Sequence, residues 1–151
     1  MKIRNQLLLL STGLLLSACG SAPPEKVGTT SDGTSKADSA GEYRVALAQR
    51  ITQTNSIKVY IGRPQALLRS VVVVKYVVDA NGRLLHSEIL RSNRDRATEA
   101  TALSSLRVAA PFPKPASELL RNGRIELMET WLFNNDGRFQ LRTIAEPQMD
   151  R

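Results

Sequence analysis

The sequence predicts an α+β domain, a small antiparallel sheet of three to four strands with two helices packed on one face. Three observations carry that expectation. A β-branched run, Val71 to Val78, leads into Asp79-Ala80-Asn81-Gly82, and a second strand-like run, Ile125 to Phe133, leads into Asn134-Asn135-Asp136-Gly137. Each glycine-ended turn is followed by residues able to return as a partner strand. Two stretches with apolar residues at helical spacing, about 42–54 and 97–110, precede the two hairpins.

The first 18 residues follow the plan of a secretory signal. Lys2 and Arg4 form a charged start, Leu7 to Leu16 is an apolar run broken only by Ser11, Thr12 and Gly13, and the small Ser17 and Ala18 close it. That run is far shorter than the roughly 20 residues needed to cross a bilayer. Gly20 to about Ala40 is rich in Gly, Ser, Thr, Ala and Pro without apolar periodicity. It reads as a flexible tether, with an r.m.s. span of roughly 25 Å. The expected division is therefore 1–18 as a removed signal, 19–40 as a modified cysteine and tether, and 41–148 as the folded domain.

Ser39-Ala40-Gly41-Glu42 fits a capping box, and Tyr43, Ala46, Leu47 and Ile51 recur on one face of the helix that follows. Pro64 is expected to open a short second helical turn with Ala66, Leu67 and Leu68 as its apolar side. In the valine strand Val72, Val74, Tyr76 and Val78 share one face, and Lys75 makes the other wetter. A two-residue loop at Asn81-Gly82 would set Val78 against Leu85 and Val74 against Ile89 in a return strand Arg83 to Arg91; a bulged loop would shift this by one residue.

Ser92-Asn93-Arg94-Asp95 is a second capping pattern. Ala97, Ala100, Leu103, Leu106 and Ala110 then mark a narrow stripe that Pro111 stops. Pro111 to Asn122 holds three prolines and reads as an irregular crossing. In the third strand Ile125, Leu127, Trp131 and Phe133 alternate with Glu126 and Thr130, and the chain returns from Arg138 to Ile144 with Phe139, Leu141 and Thr143 on one face. Glu146 to Arg151 reads as frayed.

Composition bounds the function. The chain is 42% hydrophobic but only 5% aromatic, so its core rests on Val, Leu and Ile. Its formal charge is +7, and removing Lys2 and Arg4 leaves 19 basic residues against 14 acidic ones. Such a surface favours anionic partners such as lipid head groups or acidic peptides. Export removes nucleic acid from consideration. Arg91, Arg94 and Arg96 form the densest basic cluster, read either as a solvated helix start or as a contact for anionic lipid or an acidic partner.

No catalytic pattern is present. His86, the one histidine, falls beside a turn on the wetter face of its strand, and with one Cys it cannot build a zinc site. No HExxH, GxSxG, SxxK or phosphate-cradling glycine loop occurs. Glu126 and Glu129 lie three apart on a strand and face opposite sides. Neither an enzyme, a metal nor a small-molecule substrate is expected.

Leu16-Ser17-Ala18-Cys19 resembles the lipobox of bacterial lipoproteins. The resemblance implies cleavage before Cys19, diacylglycerol on its sulfur and a further acyl chain, such as palmitate, on its amine. Cys19 is the chain's one cysteine, so it has no disulfide partner within the chain. Two or three acyl chains hold where one is marginal, at about 0.8 kcal/mol per buried CH₂. Gly20 and Ser21 follow it, with no Asp at the position that commonly marks inner-membrane retention. The expected location is thus the periplasmic face of the outer membrane, with the inner membrane as the alternative.

From about Ile61 to Gln148 the chain resembles the C-terminal domain of TonB and TolA proteins. The pieces are Val77-Val78-Asp79-Ala80-Asn81-Gly82-Arg83, then Glu88-Ile89-Leu90-Arg91-Ser92, the Ala/Leu helix into Pro111-Phe112-Pro113, and Trp131-Leu132-Phe133-Asn134-Asn135-Asp136-Gly137. That family binds a receptor peptide or a protein domain, chiefly by adding a strand to its sheet edge. Carried over, the contact surface is Thr130, Trp131, Leu132 and Phe133 with Arg138, Phe139, Gln140, Leu141 and Arg142. Core burial is the simplest role for Trp131. If the strand after Gly137 covers the receptor-peptide edge, Phe139 to Arg142 becomes the free rim.

The sequence departs from the energy transducers in lacking a retained membrane helix and a long proline-rich arm. Two functions follow from the resemblance. One is a lipid-anchored module that binds an envelope protein by strand addition, accessory to an envelope complex or an outer-membrane transport system. The other is a structural subunit that packs permanently into an envelope assembly.

Overall fold

A computed structural model describes residues 24–150. The signal-like segment and Cys19 lie outside the described residues. The elements run α1 (Ala40–Thr54), β1 (Ser70–Asp79), β2 (Leu84–Arg91), α2 (Arg96–Ala109), β3 (Arg124–Phe133) and β4 (Phe139–Leu141). The strands form one antiparallel sheet in the order β2-β1-β3-β4, the predicted α+β architecture.

Side-chain alternation decides which face is dry. Val72, Val74, Tyr76 and Val78 of β1 and Leu127, Trp131 and Phe133 of β3 all point into the core, where they meet Tyr43, Leu47 and Ile51 of α1 and Leu106 of α2. Trp131 is fully buried, and its indole donates to Ser105 Oγ at 2.9 Å, which ties β3 to α2. Glu129 lies on the same face between Leu127 and Trp131 and is only 4% exposed. Its carboxylate accepts from the backbone of Thr130 at 2.7 Å and of Thr143 at 3.4 Å.

The first helix forms where its cap was expected: Ser39 Oγ accepts from Glu42 N, and Glu42 reaches back to the N–H of Asp38. The cap of α2 is Asp95 rather than Ser92; its carboxylate accepts from Ala97 N and Thr98 N. The buried stripe of α2 also differs from expectation. Thr98, Ala102, Ser105, Leu106 and Ala109 face the sheet, while Ala97 and Ala100 are exposed. The polar members set this rotation because both find partners: Thr98 Oγ1 donates to Ser70 Oγ, and Ser105 takes the Trp131 indole.

The hairpin at Asn81 is of the bulged kind. Asp79 N donates to Arg83 O and Gly82 N to Asp79 O, so Ala80, Asn81 and Gly82 form the loop. Val74 does pair with Ile89, but Val78 pairs with Leu84 instead of Leu85. Gly82 is required there on two counts. Its φ is +80°, and a Cβ would stand 2.0 Å from the carbonyl oxygen of Phe112, whose N–H donates to Gly82 O.

Four segments are ordered differently from expectation. Residues 24–39 are not a free tether: Thr34 and Ser35 pair with Lys114, Ala37 is buried, and Gln49 of α1 bonds the backbone of Glu25 and Val27. Pro64 opens no helical turn, because its carbonyl accepts from Met149 N and the N–H of Gln65 is taken by Asn134 Oδ1. The return strand β4 stops at Leu141, whose carbonyl accepts from Ile144 and Ala145 in a turn. The C-terminal segment is held: Arg63 donates to Pro147 and Gln148, and Gln148 to Gln65 and Ala66.

Candidate functional site

Contact by strand addition needs a rim whose backbone groups are free. A four-stranded sheet has two rims, β2 and β4, and their states differ.

β3 offers no rim. It is paired along its length with β1 and, from Trp131 to Phe133, with β4. β4 is closed by the chain that follows α1. Val59 bridges Phe139 in parallel, Tyr60 N donates to Phe139 O at 2.9 Å, and Gln140 Nε2 bonds the carbonyl of Gly62. Arg138, though exposed, is engaged as well, paired with Asp136 and lying 5.0 Å over the Tyr60 ring. The contact surface expected from Thr130, Trp131, Leu132, Phe133, Arg138, Phe139, Gln140, Leu141 and Arg142 is therefore corrected. Trp131, Phe133, Phe139 and Leu141 are fully buried core, Gln140 is buried, Thr130 and Leu132 are half-buried within paired β3, and Arg138 and Arg142 are exposed, with the Arg142 N–H bonded to Thr130 O.

β2 is the open rim. Among the described residues its backbone bonds only to β1. Two bulges frame it. The register passes from Val73 opposite Arg91 to Val74 opposite Ile89, leaving Leu90 unpaired, and from Val77 opposite His86 to Val78 opposite Leu84, leaving Leu85 unpaired. Both leucines are about half exposed. Between them His86, Ser87, Glu88 and Ile89 pair regularly, a straight stretch four residues long. Edge bulges limit how far another strand can pair, a protection against indiscriminate association.

Charge borders this stretch at both ends. Arg83 and Arg107 stand by Leu84 and Leu85 around a shallow groove with Ala110 and Pro111. Arg91, Arg94 and Arg96, all exposed, stand at the other end. Their carboxylate neighbours are partly engaged: Asp95 is held below the usual carboxylate range by the Thr98 N–H and then by Arg69. Glu88 is held low by Lys75, to which it is bonded. Among the described residues the ion pairs Arg69–Asp95, Lys75–Glu88, Arg83–Asp79 and Arg138–Asp136 leave Arg91, Arg94, Arg96 and Arg107 without acidic partners.

His86 is exposed on the wetter face opposite Val77, as expected. With Arg121, Arg124 and Glu126 it lines an open groove of about 890 Å³. No group of three or more His, Cys, Asp or Glu among the described residues could hold a metal ion. The open rim could not be read from the sequence, because β2 looks like any return strand. The signal for the closed one was faint: a bare Val59-Tyr60 pair ahead of Pro64.

A 71-residue stretch, 47% of the chain, is 31% identical to a protein named Protein TonB from Pseudomonas putida. The likeness supports a TonB-like domain. It spans 29% of that protein's length, so most of the relative has no counterpart in the match. No family model matches the chain. No solved structure matches it either. Among the described residues no helix is long and apolar enough to cross a membrane.

Proposed function

We propose that this chain is a membrane-anchored envelope lipoprotein whose TonB-like domain binds another envelope protein by strand addition, as a non-catalytic accessory of an envelope complex or outer-membrane transport system. The observation that carries the reading is the unpaired β2 rim, one of two rims and the one the chain itself leaves open. The incoming strand pairs along His86 to Ile89, and the arginines at both ends select a partner segment with acidic residues flanking its paired core. Acyl chains on Cys19 hold the domain at the periplasmic face of the outer membrane.

The order of residues 24–39 supports a close-held domain. Four residues separate Cys19 from Pro24, and the five extended steps between them reach at most roughly 18 Å. A leash of that length suits a protein working at its own membrane surface.

Two measurements test the proposal. Labelling with a palmitate analogue should mark the wild type and not Cys19→Ala; a variant that still takes label and stays membrane-bound removes the anchor. Leu85→Lys/Leu90→Lys changes two exposed positions and should alter stability by no more than about 0.5 kcal/mol. It should sharply lower crosslinking of the full chain to its partner in intact envelopes. Unchanged crosslinking would sink strand addition at β2.

A further inference from the structure

The loop that closes the β4 rim carries a surface of its own. Between Asn55 and Ser70 the chain turns three large apolar side chains into solvent: Ile57 is 88% exposed, Ile61 86% and Leu67 65%. Side chains of that size gain most from leaving water, and several together on one loop mark a contact surface. The loop is not loose. Tyr60, Gly62, Pro64, Gln65 and Ala66 all bond to β4, the β3–β4 turn or the C-terminal segment. A stitched backbone holds the apolar tips outward.

Cations sit among the tips. Lys58 follows Ile57, Arg63 follows Ile61 by two residues, and neither is in an ion pair among the described residues. Glu146 and Asp150 of the C-terminal segment are the carboxylates nearest in sequence to the residues that Arg63 bonds. Apolar tips with flanking cations match the boundary between head groups and acyl chains of an anionic bilayer, where the tips enter the apolar layer and the cations stay with the phosphates.

The place where the described chain begins points to the same occupant. Pro24 lies beside α1 at Gln49, whose Nε2 bonds the carbonyls of Pro24 and Glu25 and whose Oε1 accepts from Val27 N. From Gln49 to Thr54 is about 8 Å of helix, and Ile57 follows three residues on. Cys19 is within roughly 18 Å of Pro24 along the chain. An anchor on so short a leash keeps the bilayer within reach of the side that carries this loop.

We propose that the loop from Ile57 to Leu67 docks on the anionic surface of the membrane that holds Cys19, so that the β4 side of the sheet faces lipid. The β2 rim, on the opposite edge of the sheet, then faces away from the bilayer and stays open to a protein. The proposal rests on the reading of Cys19 as acylated and is independent of what binds β2.

Acylation blocks Cys19, so an Ile61→Cys form of the acylated protein takes one environment-sensitive fluorophore at position 61, with Glu118→Cys as the exposed control. The labelled proteins are reconstituted in phosphatidylethanolamine vesicles containing phosphatidylglycerol and lipids spin-labelled near the head group. Quenching at position 61 should exceed that at 118 by at least about threefold, and Lys58→Glu/Arg63→Glu should lower it at least about twofold. Equal quenching at both positions overturns the proposal, as does quenching that survives charge reversal. A position-61 probe shielded from aqueous iodide yet unquenched by lipid means a second copy covers the loop, which also overturns it. The mass of the mature protein tests the anchor separately: an acylated Cys19 with no lipid contact at 61 leaves the anchor intact, and an unmodified Cys19 removes both.

Discussion

The two rims of the sheet begin from similar hairpins and end differently. Both turns place glycine at positive φ after an Asn/Asp-rich stretch, Gly82 at 80° and Gly137 at 81°. Beyond Gly82 the chain runs eight residues as β2, whose backbone among the described residues bonds only to β1. Beyond Gly137 it runs three residues as β4, and the chain ahead of β1 folds back to close it. The difference lies in what surrounds each strand. β4 contributes Phe139 and Leu141 to the core beneath α1 and is too short to stand alone, whereas β2 pairs along a long, complete neighbour. The closed strand is buried at all three positions, whereas no residue of the open one is fully buried.

The largest test of this contrast is at β3. If Trp131 is core and not contact surface, Trp131→Ala should cost about 3–5 kcal/mol in urea unfolding, because a fully buried indole and its bond to Ser105 are lost together. A loss under about 1 kcal/mol with partner binding abolished would return Trp131 to the contact surface.

A smaller effect isolates the closure of β4. Tyr60→Pro removes the N–H that Phe139 O accepts, and Val59 is already in the extended conformation that a following proline requires. Against Tyr60→Ala, which keeps the N–H, it should cost about 1 kcal/mol and speed amide exchange in Phe139 to Leu141. Identical exchange in the two variants would mean the rim is not held by this bond.

The smallest effect concerns Glu129, a buried acid on the core face of β3. Burial pushes its carboxyl above the ordinary value, against the pull of the Thr130 and Thr143 N–H groups and the Arg44 charge. A raised native pKa means the folded state holds the proton more tightly. Stability from that proton is complete below the ordinary carboxylate range and is lost as pH rises through the raised value. Glu129→Gln should therefore gain more in Tm over wild type at about pH 8 than at about pH 4. A gain equal at both would show that Glu129 is not protonated preferentially in the folded state.

Much of the fold was legible in particular residues. The valine strand, both Gly-ended turns and the Ser39 cap each rest on local rules: pleat alternation, positive φ, and an oxygen for a free N–H. Local rules failed where a distant group competed for the same backbone. Gln49 takes up Glu25 and Val27 from a Gly/Ser/Pro-rich stretch, Met149 and Asn134 keep Pro64 and Gln65 from a helical turn, and Ser105 turns α2 by answering the Trp131 indole. The contact surface was misplaced for the same reason. Which strand is a rim depends on what lies beside it, and neither β3's neighbours nor the Val59–Gly62 cover leaves a mark in the strand itself.

By itself, then, the sequence determined the element order, the dry face of β1 and β3, the export-like start with its single cysteine, and a partial likeness to TonB. Tertiary structure alone decided which rim is open, where the chain leaves the domain toward Cys19, and that Glu129 is buried while Ile57 and Ile61 are not. The physical reason is range. Strand, turn and cap preferences act between residues a few positions apart, whereas the state of a rim is set by backbone groups brought together from up to 80 positions away.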